Sequence, residues 1–511
     1  SVVLLCSGFA LYSFFRLSAA EGQKDFNLYE LVPSTTSAVF VTDDVLEFVA
    51  EVDELTCSKN QQYLYVSKLF SYLKQSLYAL SEDTPHGLSR QMNQMLISFH
   101  EPDNERNQVL YCRLGNGDKE LVNRFVRKYI SSLYPPKTFI YKGEEIIIYP
   151  MADGDFLACY LTSDFMALSF QKKLIENVID AYKSGKSLAD DSPFTEIRAP
   201  KKSAAAATIY TRMQGMMGWT EFDMKMKDDF IYFSGITHDA DTCFAFINQL
   251  RQQQSVKGFP GEVLPSTAFY FSRQGITDWV SLLSYGNAQG QSVPARTSEV
   301  QNRDKEFSRY LMENAGQDLV ACLFQREDTL QGAAAVLSLS VADVTEAERM
   351  LRALVNAAPA DEGRRNPRIT FCYTVNKAYP IYRLPQTTLF EQLTSFAEPT
   401  LDVYAAFYGG RLLLAPDADA LAHYIRQLDK GEVLNGAMAY QTGMDHLSDS
   451  YHFMLMADFD HIFQQSENHV RFVPDFFLRN ADFFRHFTFF VQFACADGVV
   501  YPNIVLKYKS E

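Results

Sequence analysis

The sequence predicts an α+β fold of two homologous repeats, each an antiparallel sheet with helices packed on one face, after an N-terminal apolar (transmembrane or signal) helix. Three observations predict it: an uncharged N-terminal run, two pairs of internally similar segments, and short strand patterns that alternate with single amphipathic helices.

The N-terminal element comes first. Ser1 to Phe15 carries no charged side chain, and Arg16 ends the run. This run is shorter than the roughly 20 residues that cross a bilayer. Residues 1–18 are read as a signal anchor that stays attached. The alternatives are a signal peptide cut after Ser18-Ala19-Ala20 and a lipid on Cys6, the latter weakened because Val3-Leu4-Leu5 offers no small residue before the cysteine. The leading expectation is an inner-membrane anchor with the bulk in the periplasm or otherwise outside the cytoplasm; a soluble periplasmic or a lipid-anchored form are the alternatives.

The repeats follow. Leu31-Val32-Pro33-Ser34-Thr35 opens one block and Val263-Leu264-Pro265-Ser266-Thr267 another; each leads into a β-rich strand and a helix. Asp164 to Phe194 aligns without a gap onto Gly410 to Tyr440. Each has an apolar strand, then a helix with apolar residues at helical spacing (Leu174, Ile175, Val178, Ile179; Leu421, Tyr424, Ile425, Leu428). Each helix stops at a glycine, Gly185 or Gly431, as a C-cap requires. Lys227-Asp228-Asp229 and Ala496-Asp497-Gly498 read as hairpin turns. These signals predict a first repeat over 27–258 and a second over 259–511. A polar stretch of Gly, Pro, Gln and Ser at about 286–304 reads as a mobile insertion.

Composition bounds the function. The chain is 47% hydrophobic with a formal charge of −15. An acidic surface repels phosphate backbones, and Lys201-Lys202 and Arg364-Arg365 are isolated pairs, so no nucleic-acid partner is expected. The eight cysteines form no CxxC pair and sit mostly in apolar runs, as buried free thiols do.

The helix–glycine–leucine–aromatic signature at Leu174 to Phe194 and Leu421 to Tyr440, after a Leu-Val-Pro opening and an apolar leader, resembles a family of envelope proteins catalogued only as a domain of unknown function. The resemblance implies an exported, membrane-anchored repeat protein and carries no catalytic residues.

Candidate chemistry is sparse. His446, His452, His461 and His469 crowd together with four aspartates; His452, Asp458 and His461 are the weak metal candidates, with Asp458 and His461 at helical spacing, although no HExxH is present. Met213, Met216, Met217, Met224 and Met226 form a soft cluster suited to packing or to an adaptable partner surface. Phe476, Phe477, Phe483 and Phe484 precede a strand in which Phe487, Phe489, Val491 and Phe493 alternate toward one buried face; the four are candidates for the core or for a partner surface. Ser71–Lys74 and Ser169–Lys172 fit SxxK without its companion motifs, and no GxSxG elbow occurs.

The expectation is a non-enzymatic envelope protein, protein-binding or scaffolding within a membrane-associated complex, held to the membrane by its N-terminal segment and using no cofactor. The alternatives are an extracytoplasmic hydrolase with its site in the inter-repeat cleft, and a solute- or lipid-binding module.

Overall fold

The computed structural model describes residues 26–62, 64, 66, 69–71, 92–101, 104, 106–115, 118–125, 134–151, 154–198, 205–212, 218–237, 245–283, 297–326, 333–357, 368–385, 387–394, 402–464, 473 and 475–509. The chain divides into two compact units. The first gathers Ser1–Val49, Tyr65–Lys202 and Ala206–Ile209; the second gathers Ala50–Leu64, Ser203–Ala205 and Tyr210–Glu511.

In the first unit the strands are β1 (Ala38–Thr42), β2 (Met95–Phe99), β3 (Gln108–Arg113), β4 (Lys137–Tyr141), β5 (Glu144–Pro150), β6 (Phe156–Leu161), β7 (Phe165–Ser169) and β8 (Ala207–Thr211). Antiparallel pairing runs β8-β1-β2-β3-β7-β6-β5-β4. Helix α1 (Val45–Glu54) follows β1 and lays the Phe48 ring edge-on to Phe40, 5.3 Å between centroids. Helix α2 (Lys172–Ser184) buries Leu174, Ile175, Val178 and Ile179, each contributing about 1.5–3 kcal/mol of hydrophobic stabilisation. Gly185 ends it in the left-handed region at φ 64°, where a side chain would strain the backbone. The chain then bridges Ser187 to Pro33.

In the second unit the strands are β9 (Thr220–Lys227), β10 (Phe230–Thr237), β11 (Val256–Lys257), β12 (Ala268–Gly275), β13 (Ala315–Gln325), β14 (Ala333–Val341), β15 (Ile369–Tyr373), β16 (Ala378–Pro385), β17 (Asp402–Tyr408), β18 (Arg411–Ala415), β19 (Ser450–Tyr451), β20 (Phe453–Asp458), β21 (Phe487–Ala496) and β22 (Val499–Tyr508). The pairing runs β9-β10-β22-β21-β20-β12-β13-β14-β18-β17-β16-β15, with β11 and β19 as a separate small sheet. Its main helices are α3 (Ser298–Asn314), α4 (Val344–Ala357), α5 (Leu389–Leu393), α6 (Ala418–Asp429) and α7 (Phe459–Phe463). One core joins Leu421, Tyr424 and Ile425 of α6 to Val336, Ile381, Ala406 and Leu413 of the sheet.

Four expectations are corrected here. The twenty strands pair antiparallel as a ladder of eight in the first unit and a ladder of twelve in the second, and no two-repeat architecture is shown. Residues 164–194 and 410–440 do each fold as strand, helix, short 3-10 turn and helix, and each segment bridges back to its Pro-Ser-Thr opening, Ser187 to Pro33 and Val433 to Pro265. The decisive pairing is β10 with β22, Phe230↔Lys507 through Thr237↔Val500. It ties a strand assigned to repeat 27–258 to the far end of repeat 259–511. Local pattern specifies a hairpin; which edge that hairpin satisfies is set by long-range backbone hydrogen bonding.

Helices also do not keep to one face in the second unit. Ile381 of β16 joins the α6 core, whereas its neighbour Tyr382, pointing to the opposite face, accepts a 2.7 Å hydrogen bond from Arg352 Nε on α4. In addition, residues 298–304 of the expected mobile insertion belong to α3. Thr297 caps that helix, and Val300, Phe307, Tyr310 and Leu311 are its buried face. Finally, β21 is covered on both faces, with Phe487 1% and Phe490 0% exposed: Phe483 packs on Phe487, and Phe490 joins the core around α6.

The segment expected at 1–18 as an apolar helix lies outside the described residues. Among those residues no helix is long and apolar enough to cross a membrane. The six cysteines among them are free, five of them buried.

Candidate functional site

Asp458 ends β20 and caps α7. Its Oδ1 accepts from the amides of Asp460 (3.1 Å) and His461 (3.5 Å) and from Lys509 Nζ (2.7 Å), and its Oδ2 lies 3.4 Å from His461 Nδ1. Burial pushes the Asp458 carboxyl up, but His461 and Lys509 outweigh it and hold the group below its ordinary value. The same carboxylate raises His461. The spacing of three therefore does bring Asp458 and His461 together, on the end of a helix. His452 is spent elsewhere, its Nδ1 accepting from the Cys495 amide at 3.1 Å. Lys509 takes the position where a cation would sit, and no group of three metal-capable side chains occurs among the described residues.

The aromatic candidates pack beside this cluster. Phe484 is buried; Phe476, Phe477 and Phe483 are half-buried. Phe459 of α7 lies 5.1 Å from Phe477 and 5.8 Å from Phe484 between centroids, distances at which rings attract beyond their buried area. These residues form a packed cluster that roofs one end of β21. Met213, Met216 and Met217 lie outside the described residues; Met224 of β9 is buried.

A second polar cluster was missed in the sequence. Ser98 of β2 and His100, just past its end, lie two apart, and Ser98 Oγ lies 2.9 Å from His100 Nε2 and 3.0 Å from Tyr111 OH of β3. A hydroxyl bonded to an imidazole is the pairing that nucleophilic catalysis needs. Burial drives His100 down to about 4, keeping it a neutral acceptor. Ser98 and Tyr111 are both 0% exposed, however, so no substrate can touch the hydroxyl. The signal was available: Ser and His two apart in a strand share a face. Ser169 of the SxxK pattern is likewise 0% exposed and donates to the Gln108 carbonyl at 2.7 Å.

A third cluster links three strands. Asp318 of β13 accepts from Arg273 Nε of β12 at 3.0 Å and from Arg411 Nη2 of β18 at 3.3 Å. Burial raises the Asp318 carboxyl, and Arg411, Ser340 and Arg273 together reverse that and hold it low. The arginines are also bonded to Ser338 and to the Gly258 carbonyl. All three ions are held in the sheet, which makes the set structural.

The remaining feature is an edge. Among the described residues β15 pairs only with β16. Thr374 donates to the Lys377 carbonyl and Arg383 to the Arg368 carbonyl, both at 2.9 Å. By antiparallel alternation, residues 368, 370, 372 and 374 direct their amides and carbonyls at β16, and Ile369, Phe371 and Tyr373 direct theirs outward. The same three side chains are exposed by 37%, 54% and 72%, and Val375 in the turn by 97%. Cys372, between them, is buried against α6, its thiol facing the Ala422 carbonyl. Native proteins usually blunt such an edge with charge, proline or a covering segment. In the first unit β4, among the described residues, likewise pairs only with β5 and exposes Phe139 by 42% and Ile140 by 70%, with Lys142–Asp180, Lys183–Glu144 and Lys172–Glu176 around it.

A family model described as a protein of unknown function (DUF3352) matches residues 88–226, the stretch from β2 into β9. No curated protein matches the chain. No solved structure matches it either.

Proposed function

We propose that the chain is a non-enzymatic envelope protein that binds another protein and scaffolds a membrane-associated complex, attached through its N-terminal segment. The observation that carries the reading is β15: an open strand edge whose outward side chains are Ile369, Phe371 and Tyr373. Exposed apolar patches and unpaired edges are the features by which folded domains bind other chains. A hydrolase would need a reachable nucleophile: the Ser98 hydroxyl, against His100, is sealed in the core, and burial pushes up the phenol of Tyr232, whose hydroxyl lies 3.3 Å from His446 Nδ1.

The test is crosslinking in intact cells followed by affinity capture of the full-length chain, with a form lacking residues 1–20 as the control. Stoichiometric recovery of defined envelope proteins is the expected result. Recovery of nothing specific from either form sinks the reading.

A further inference from the structure

Resting on the binding reading above, we infer that β15 accepts an extended, acidic segment of a partner protein as an added strand. The backbone argument comes first. Ile369, Phe371 and Tyr373 present three outward amide and carbonyl pairs in line, the row that an incoming strand completes. A membrane surface would leave those groups unsatisfied in hydrocarbon, so the edge fits a peptide backbone better than lipid.

Charge selects the partner. The β15–β16 hairpin carries Arg368, Lys377 and Arg383 and no carboxylate of its own, within a molecule of formal charge −15; Asp429 and Glu348 reach it at Tyr379 and Tyr382, and Arg368 donates to the Val355 and Asn356 carbonyls. Arg383 is neutralised by Asp402 at 2.9 Å. Lys377 stands at the hairpin tip with its ammonium 5.2 Å from the Tyr379 ring centroid, and both Arg368 and Lys377 are exposed. A second copy is disfavoured: pairing two β15 edges antiparallel brings the tip lysine of each toward the Arg368 end of the other, setting like charges together. A segment with alternating β-branched residues and carboxylates at its ends meets both the apolar side chains and the cations.

The test uses the full chain and three probes: a labelled peptide of alternating valine and threonine with aspartates at both ends, the same peptide with lysines in their place, and vesicles of phosphatidylcholine and phosphatidylglycerol. The acidic peptide is expected to bind at least about tenfold tighter than the lysine peptide, a difference of about 1.4 kcal/mol. Tyr373→Pro removes an outward amide while leaving every bond to β16, and proline is tolerated on an edge in that orientation. It should weaken the acidic peptide by about tenfold with the melting temperature of the chain unchanged. Lys377→Glu should weaken it by about threefold. Equal binding of the two peptides, no binding of the acidic one, or wild-type affinity in Tyr373→Pro overturns the inference, as does binding to vesicles that Tyr373→Pro leaves intact. The cell-capture experiment repeated with Tyr373→Pro separates the two readings. Loss of the captured proteins supports the edge. Their retention overturns the edge as the place while the binding reading stands.

Discussion

Two buried polar clusters solve the same problem in opposite ways. In the first unit, Ser98, His100 and Tyr111 are kept neutral, and burial lowers His100 to about 4. In the second, Asp318 stays charged because Arg273 and Arg411 reach it, and its carboxyl is held low although burial alone would raise it. A desolvated group either gives up its charge or acquires a partner, and the neighbouring strand decides which. Neither arrangement is open to a substrate, so both rigidify the sheet, and their difference shows up in how each unit responds to acid.

The largest effect should come from breaking the charged cluster. Asp318→Ala leaves two guanidinium groups facing one another in the sheet and should destabilise the second unit by about 3–5 kcal/mol, read from denaturant midpoints. Asp318→Asn, which keeps one acceptor oxygen for the guanidinium groups, should lie below that. Wild-type stability in Asp318→Asn would show that the charge contributes nothing there.

Acid sharpens the contrast. His100 has a folded pKa below its unfolded value of 6.5, so the unfolded chain binds the extra proton. The associated stability is present above 6.5 and is lost as pH falls to about 4, on the order of 3 kcal/mol in all. Asp318 also has a lowered pKa, and its stabilisation is lost only as pH falls through that lower value. Amide exchange in β2 and β3 should therefore accelerate at higher pH than in β12 and β13, and His100→Gln should remove the first transition alone. Simultaneous acceleration in all four strands would contradict the assignment.

Asp458 is an intermediate case, a cap and an ion partner at once. Asp458→Ala should cost about 1–2 kcal/mol from the lost cap, seen as faster exchange in α7. His461 is the smallest. Its raised pKa makes its contribution full below about 6.5 and lost as pH rises through the folded value. With a side chain 44% exposed, screening keeps the effect below about 1 kcal/mol. His461→Gln should flatten that alkaline slope in a melting-temperature profile.

Much of the local structure was legible. The turns at Asp228-Asp229 and Asp497-Gly498 were read from residue type, and Asp228, Asp497 and Gly498 do take positive φ. The helices ending at Gly185 and near Gly431 followed from apolar spacing and a glycine that tolerates the left-handed turn. What pattern could not supply was partnership. Nothing in residues 230–237 or 499–508 states that they pair, because every strand offers the same backbone groups. The aromatics show the same limit. Phe476, Phe477, Phe483 and Phe484, read as core or as a partner surface, form a cluster in which Phe477 and Phe484 lie against Phe459 and Phe476 against Phe484, whereas Phe371 and Tyr373, in an apolar run read for its buried cysteine, are exposed. Asp458 and His461 were found because their separation is helical; Ser98 and His100 were missed although their separation suits a strand equally well.

The β10–β22 ladder also sets an order of events during synthesis. β10 is complete at Thr237, but its second partner begins only at Val499. At about 5–20 residues per second the ribosome needs on the order of ten to fifty seconds to cover that interval. Throughout it, β10 has β9 on one side and an unfilled edge on the other. Closure of this ladder therefore waits until β22 has emerged, and a chaperone that meets the chain before then meets it at that edge.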